Sequence, residues 1–133
     1  SSRYNEEELV KKWFATKSDM IKIHSNGHMI GNHGCTHKSY DLLTIEELDN
    51  EIINSHKILS GIIKGEIKVF AHPQGGDYGN KDRFVVKRLT NLGYSACFNG
   101  TNGNSINSMD QFSINRIDAS ELPPRKKSNK VYK

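Results

Sequence analysis

The amino-acid sequence predicts an α/β protein whose strands run parallel. Stretches with the apolar periodicity of amphipathic helices alternate with short apolar stretches rich in β-branched and aromatic residues. A polar or glycine-containing loop follows each short apolar stretch and leads into the next helical one. Because parallel strands need a crossover connection, usually a helix, this order indicates parallel strands joined by helices. With 133 residues, the chain has the length of one domain.

The first half of the chain contains two predicted helices and one predicted strand. Residues Glu6 to Asn26 have the composition of an amphipathic helix, which an Asn-Gly pair would end. The segment HMIGNH predicts a short strand that runs into a loop. Thr44 and Glu47 have the spacing of a capping box, and apolar residues recur after them at helical spacing up to Ile63. We therefore expect the most regular helix of the chain to begin after Thr44.

The second half repeats the same alternation. The segment IKVFAHP predicts a strand that ends at Pro73 and the turn-forming run QGGDYGN. Asn80 can cap a helix that runs to Leu92, with Gly93 just past its end. The segments YSACF and FSINRID predict two further strands, and the run NGTNGNSINS between them predicts a flexible loop.

The basic charge is concentrated at the end of the chain. The formal net charge is +4, but the last nine residues, RKKSNKVYK, contain five positive residues and no acid. Without these five, the rest of the chain has a net charge of about −1. We expect a domain over residues 1–120 and a solvated basic tail over 121–133, with a nucleic-acid or anionic-surface contact of the tail as the alternative. No basic stripe in the body favours nucleic-acid binding.

Other classes of protein are disfavoured by simple features. No apolar run approaches the roughly 18 residues of a membrane span. Cys35 and Cys97 do not make a disulfide framework, although Cys35 lies between two histidines and could face a bound ion. The chain opens at SSRYNEE without Met, as in a processed or trimmed product, so the missing signal peptide indicates no compartment. Neither a phosphate-binding glycine motif nor a G-x-S-x-G nucleophile motif is present.

His33 and His37 form the first candidate site. They lie four residues apart in the loop IGNHGCTHKSY, whose small residues would let both imidazoles turn toward one ion. Spacing alone leaves open that they are two unrelated histidines. His24 and His28 have the same spacing, but one ends a predicted helix and the other begins a strand, so they are not expected to meet.

The predicted topology brings a second loop toward this pair. In parallel α/β folds, the loops at the carboxyl ends of the strands share one face, which would bring His72 of the loop HPQGGDYG near His33 and His37. A catalytic zinc ion usually has three protein ligands, and a carboxylate often supplies the third. Spacing does not single out one acid among those on or near the loops, which are Asp41, Asp77, Asp82, Asp110 and Asp118.

Three segments together resemble a known family. NGHMIGNHGCTHKSY, the capped helix LTIEELDNEI and VFAHPQGGDYGN are similar in order and spacing to motifs of the NodB-homology polysaccharide deacetylases, carbohydrate esterase family four. The resemblance extends from Glu6 to Asp118 and is most specific between Gly27 and Asn80. It implies a partial or distorted (β/α) barrel, His33 and His37 as ligands of a divalent metal, with zinc expected, and a substrate-binding loop at His72 and Pro73.

The resemblance also implies a function. It predicts a hydrolase that removes N-acetyl or O-acetyl groups from a polysaccharide or amino sugar, acts on a linear amide C–N bond, and works outside the cell or in the cell envelope. The family's aspartate motif, which supplies the third ligand and the base, is expected before Ser1, and the late L-x-x-H motif, which supplies the acid, is absent because His72 is the last histidine. The alternative is therefore a non-catalytic carbohydrate-binding or structural remnant of the same fold.

Overall fold

The computed structural model describes residues 5–75, 80–102 and 110–117, and the predicted basic tail lies outside them. Three strands form one parallel sheet in the order β1-β2-β3: β1 is Val69–Ala71, β2 is Ala96–Asn102 and β3 is Ile114–Arg116. The predicted parallel α/β class is therefore confirmed for the described residues. The segment HMIGNH contributes a single parallel bridge, Asn32 with Phe70, in place of the predicted strand.

The described residues form four α-helices: α1 is Glu6–Trp13, α2 is Lys17–Ser25, α3 is Ile45–Ile63 and α4 is Asn80–Asn91. The prediction of one helix from Glu6 to Asn26 was wrong, because the chain is extended at Phe14 and a new helix, capped by Thr16, begins at Lys17. Thr16 forms a capping box with Asp19, and these local hydrogen bonds begin α2 as a separate helix. None of the described helices is both long and apolar enough to cross a membrane.

Helix α3 confirms the capping-box prediction. Thr44 accepts the Glu47 backbone N–H, and the Glu47 side chain accepts the Thr44 backbone N–H. At the other end, Lys64 rather than Gly65 has the left-handed conformation, with φ of 50°. Helix α4 ends at Asn91, one residue before the predicted end, and Gly93 follows with φ of 83°.

The core lies between the sheet and the inner faces of α3 and α4. Phe70 of β1 is fully buried at its centre, and it packs edge-on against Tyr94. Helix α3 contacts both α2 and α4. The buried hydrophobic residues are Tyr40, Leu43, Leu48, Ile52, Ile63, Ile67, Phe70, Val85, Leu89, Tyr94 and Cys97. Cys97 is a buried free thiol, and Cys35 is an exposed one.

Candidate metal site

The histidine loop begins at the carboxyl edge of the sheet. Asn32 donates its backbone N–H to the Val69 carbonyl oxygen at 2.9 Å and accepts the Ala71 N–H at 2.9 Å. This parallel bridge ends at Asn32, so His33 leaves the sheet on the side where β1 also ends. The turn after β1, Pro73–Gly75, lies against this loop. The predicted meeting of the two loops is therefore confirmed.

The imidazoles of His33 and His37 meet at the exposed surface of this edge. Their Nε2 atoms are 3.1 Å apart, and the ring planes are inclined by 67°. Nδ1 of His33 lies 2.7 Å from the Ala71 carbonyl oxygen. Because a carbonyl oxygen only accepts, this nitrogen carries the ring proton and leaves the lone pair on Nε2. Such a second hydrogen bond is what usually orients a metal-ligating histidine.

The separation of the two Nε2 atoms fits a shared metal ion. Zn–N bonds of about 2.0–2.1 Å in tetrahedral geometry place two nitrogen ligands about 3.3–3.4 Å apart. The observed 3.1 Å is within a few tenths of an ångström of that separation. The pair therefore needs little rearrangement to become two ligands of one ion.

His37 has a second contact that sequence reasoning did not assign. The Gln74 side-chain amide nitrogen donates to His37 Nδ1 at 3.0 Å, so the His37 ring proton lies on Nε2 and faces His33. Both His37 and Gln74 have left-handed backbones, with φ of 58° and 55°. Residues in this region are uncommon and concentrate at functional sites.

Side chains from the core and from α3 fix the backbone between the two histidines. Asn32 Oδ1 accepts the Gly34 N–H at 3.0 Å. Glu51 Oε2 accepts both the Cys35 N–H and the Thr36 N–H at 2.9 Å. The contact of Glu51 with this loop was not predicted from the sequence. The available signal was its position one helical turn after Glu47, the capping glutamate of α3.

His72 and Pro73 lie beneath the exposed surface of the second loop. His72 is only 5% exposed, and its ring packs edge-on against Tyr40 and Phe70. Burial, followed by the positive charge of Arg116 and the proximity of His33, lowers the pKa of His72 to about 4. The imidazole is therefore neutral near pH 7. Gln74 is the exposed side chain of this turn, and the substrate-binding role of His72 and Pro73 stays a prediction.

Residues 5–75, 80–102 and 110–117 do not provide a third ligand for an ion held by His33 and His37. No group of three or more His, Cys, Asp and Glu side chains suited to one ion comes together there. Asp41 accepts a short hydrogen bond from Ser39, which is the main cause of its lowered pKa. Asp77 and Asp118 lie outside the described residues.

The fold and the site together define a parallel α/β protein with paired, exposed histidines at the carboxyl edge of its sheet. The family model "Polysaccharide deacetylase" matches residues 4–97. The chain therefore belongs to the polysaccharide deacetylase family, as its motifs predicted. No curated protein matches it significantly.

Solved structures of deacetylases share this fold. The Streptococcus pyogenes deacetylase PplD, in complex with acetate, has 19% identity and a TM-score of 0.66, covering 83% of this chain and 47% of its own. A Bacillus cereus polysaccharide deacetylase has 17% identity and a TM-score of 0.61, covering 77% of this chain and 31% of its own. The chain thus spans less than half of each of these two proteins.

The similar structures also include a pseudoenzyme. This CE4 family pseudoenzyme from Bacillus anthracis has 19% identity and a TM-score of 0.53, covering 68% of this chain and 30% of its own. The deacetylases have the NodB β/α barrel fold, and the three parallel strands and flanking helices described here are consistent with part of it.

Proposed function

We propose that this chain supplies the metal-binding histidines and a substrate loop of a metal-dependent deacetylase that acts on an N-acetylated or O-acetylated glycan. His33 and His37 would hold the divalent ion, with zinc expected, and the turn that contains Pro73 would lie beside the sugar. A glycan of the cell envelope or the extracellular space is the expected substrate.

One observation carries this proposal: two exposed imidazole Nε2 atoms lie 3.1 Å apart at the carboxyl edge of the sheet. His33 already has the tautomer of a metal ligand, because Ala71 accepts its Nδ1 proton. For His37 to offer Nε2, its proton must move to Nδ1 and the Gln74 amide must turn its oxygen toward that atom. A half-turn of the amide group achieves this, since oxygen and nitrogen occupy equivalent positions.

The chemistry expected at this site is direct hydrolysis. When bound, a divalent ion would polarise the carbonyl of the acetyl group and lower the pKa of its water ligand. The described residues would bind and orient that ion through His33 and His37. His72 is uncharged at neutral pH, so it would not oppose the binding of a cation by His33 and His37.

The test combines metal content with acetate release. The purified chain is loaded with zinc, its metal is measured by elemental analysis, and acetate is measured after incubation with N-acetylglucosamine oligomers. We expect near-stoichiometric zinc in the parent chain and its loss in the His33→Ala, His37→Ala double variant. His28→Ala removes an exposed histidine outside the site and serves as the matched control. Equal zinc in the parent and the double variant would overturn the assignment.

A second candidate is a non-catalytic carbohydrate-binding protein of the same fold. It is favoured by the lack of a third ligand among the described residues and by the pseudoenzyme among the similar structures. This candidate predicts zinc uptake or sugar binding without acetate release at saturating zinc. Acetate release that is lost in the double variant would exclude it.

A further inference from the structure

We propose that Glu51 is a positioning residue of the metal site, which holds the loop between His33 and His37 in its metal-binding conformation. This inference rests on the proposed function, because it assumes that the two histidines bind an ion. It adds to that function a residue from α3, 14 positions after His37, that touches neither imidazole in the described contacts.

The geometry of the loop supports this role. One carboxylate oxygen of Glu51 accepts two consecutive backbone N–H groups, those of Cys35 and Thr36, both at 2.9 Å. The preceding N–H, that of Gly34, is bound by Asn32. Two of these three successive N–H groups converge on one carboxylate oxygen, and adjacent backbone N–H groups of this kind favour an anionic partner.

The same contacts argue that Glu51 is not itself the missing ligand. Its Oε2 atom already accepts two hydrogen bonds and points into the loop backbone. No group of three possible ligands that includes it is found within the described parts of the chain. Glu51 therefore acts on the ion through the loop.

The loop needs such an anchor because its backbone is unfavourable. Gly34 has φ of 81°, which glycine adopts without strain, but His37 has φ of 58°, which is unfavourable for a residue with a side chain. A left-handed backbone at His37 persists only where the surroundings impose it. Removal of the Glu51 carboxylate would release two N–H groups and let this segment relax, which would separate the two Nε2 atoms.

The experiment compares the zinc affinity of variants of the 133-residue chain, measured by competition with a fluorescent chelator. Loss of a residue that orients metal ligands typically weakens binding about 10- to 100-fold, and we expect this loss for Glu51→Ala. Glu51→Gln keeps an oxygen that can accept the N–H groups, so it should recover most of the affinity. Glu46→Ala removes an exposed glutamate from the same helix and should leave affinity unchanged.

A control separates positioning from general destabilisation. Thr44→Ala breaks the capping box at the start of α3 without touching the loop, so it should lower the unfolding temperature and leave zinc affinity unchanged. Amide hydrogen exchange provides a readout that needs no metal: Cys35 and Thr36 should exchange faster in Glu51→Ala only.

The outcomes distinguish the two proposals. If the histidine double variant loses zinc but Glu51→Ala binds it like the parent, the role of Glu51 is wrong and the metal site stands. If Thr44→Ala weakens zinc as much as Glu51→Ala does, Glu51 is merely structural. If the parent takes up no zinc, the metal site fails and the role of Glu51 fails with it.

Discussion

Asn32 connects the histidine loop to the core. It is 1% exposed, and its amide nitrogen donates to the Ser55 hydroxyl at 2.9 Å and to the Tyr94 hydroxyl at 2.8 Å. Its amide oxygen accepts the Gly34 N–H. A buried polar side chain is costly unless its donors and acceptors are satisfied, and here partners from three segments satisfy it. The position of His33 therefore depends on residues far away in sequence.

We expect Asn32→Ala to destabilise the chain by about 1–3 kcal/mol, because it removes the hydrogen bonds of the Asn32 side chain to Ser55, Tyr94 and Gly34. Urea unfolding monitored by circular dichroism measures this. Asn50→Ala, at an exposed position on α3, should change stability by less than about 0.5 kcal/mol. Similar losses for both variants would contradict the role assigned to Asn32.

Substitution by alanine should have opposite effects on stability at two of the glycines. Gly34 has φ of 81°, and a Cβ there would lie 3.3 Å from Pro73 Cγ, so Gly34→Ala should cost about 1–2 kcal/mol. Gly61 lies inside α3, where an added Cβ would meet nothing within 4 Å, so Gly61→Ala should stabilise by about 0.5–1 kcal/mol. Thermal unfolding of the two variants tests the pair. A stabilising Gly34→Ala would show that the loop has a different backbone.

At the scale of elements, Lys81 joins the first turn of α4 to the segment before α3. Its ammonium group donates to the carbonyl oxygens of Tyr40, Asp41 and Leu43 at 3.0, 2.7 and 2.7 Å. These carbonyls belong to the short 3-10 turn Tyr40–Leu42 and the residue after it. One side chain therefore determines how the end of the histidine loop meets α4.

Lys81→Met keeps most of the side-chain volume and removes these three hydrogen bonds. A single hydrogen bond to a charged group contributes about 1.5–3 kcal/mol, so we expect the loss of three to lower the free energy of unfolding by at least about that amount. Lys87→Met, at an exposed position of the same helix, is the control and should have little effect. If both variants unfold at the same urea concentration as the parent, the three contacts do not stabilise the fold.

The bounds of a helix were predicted correctly where they depend only on residues close together in the sequence. Helix α3 begins at the predicted residue because its capping box involves only Thr44 and Glu47. The break between α1 and α2 was equally local, since Thr16 and Asp19 form another capping box, but the apolar periodicity across it predicted one helix. The predicted strand HMIGNH became a bridge because its pairing depends on the register of β1.

For the whole molecule, the buried His72 should make stability depend on pH. Its pKa falls from 6.5 to about 4 on folding, so between these values the unfolded chain binds more protons than the folded one. The neutral imidazole contributes fully to the free energy of unfolding above pH 6.5, and this contribution is lost as the pH falls toward 4. The expected loss between pH 7 and pH 5 is about 2 kcal/mol.

Urea unfolding at the two pH values, with EDTA present, measures this loss. His72→Asn should show a smaller loss between pH 7 and pH 5 than the parent, while His28→Asn, which removes an exposed imidazole, should keep the parental difference. A parental pH dependence in His72→Asn would show that other groups cause it.

The candidate site was predictable only in part, for a physical reason. His33 and His37 are four residues apart, so their pairing is local and the motif revealed it. The contacts that orient them join residues far apart, such as Asn32 with Tyr94 across 62 positions and Gln74 with His37 across 37. No local pattern encodes such contacts, because they depend on how β1, β2 and α3 pack.

The contrast between the two thiols has a practical consequence. Cys97 is fully buried, and burial raises its pKa to about 12, so it should resist alkylation in the folded chain. Cys35 is exposed between the two histidines, although partial burial and Glu51 raise its pKa. The native chain thus offers one attachment point for a fluorescent or spin label, beside the proposed metal. Mass spectrometry should find one label at mildly alkaline pH and two after unfolding.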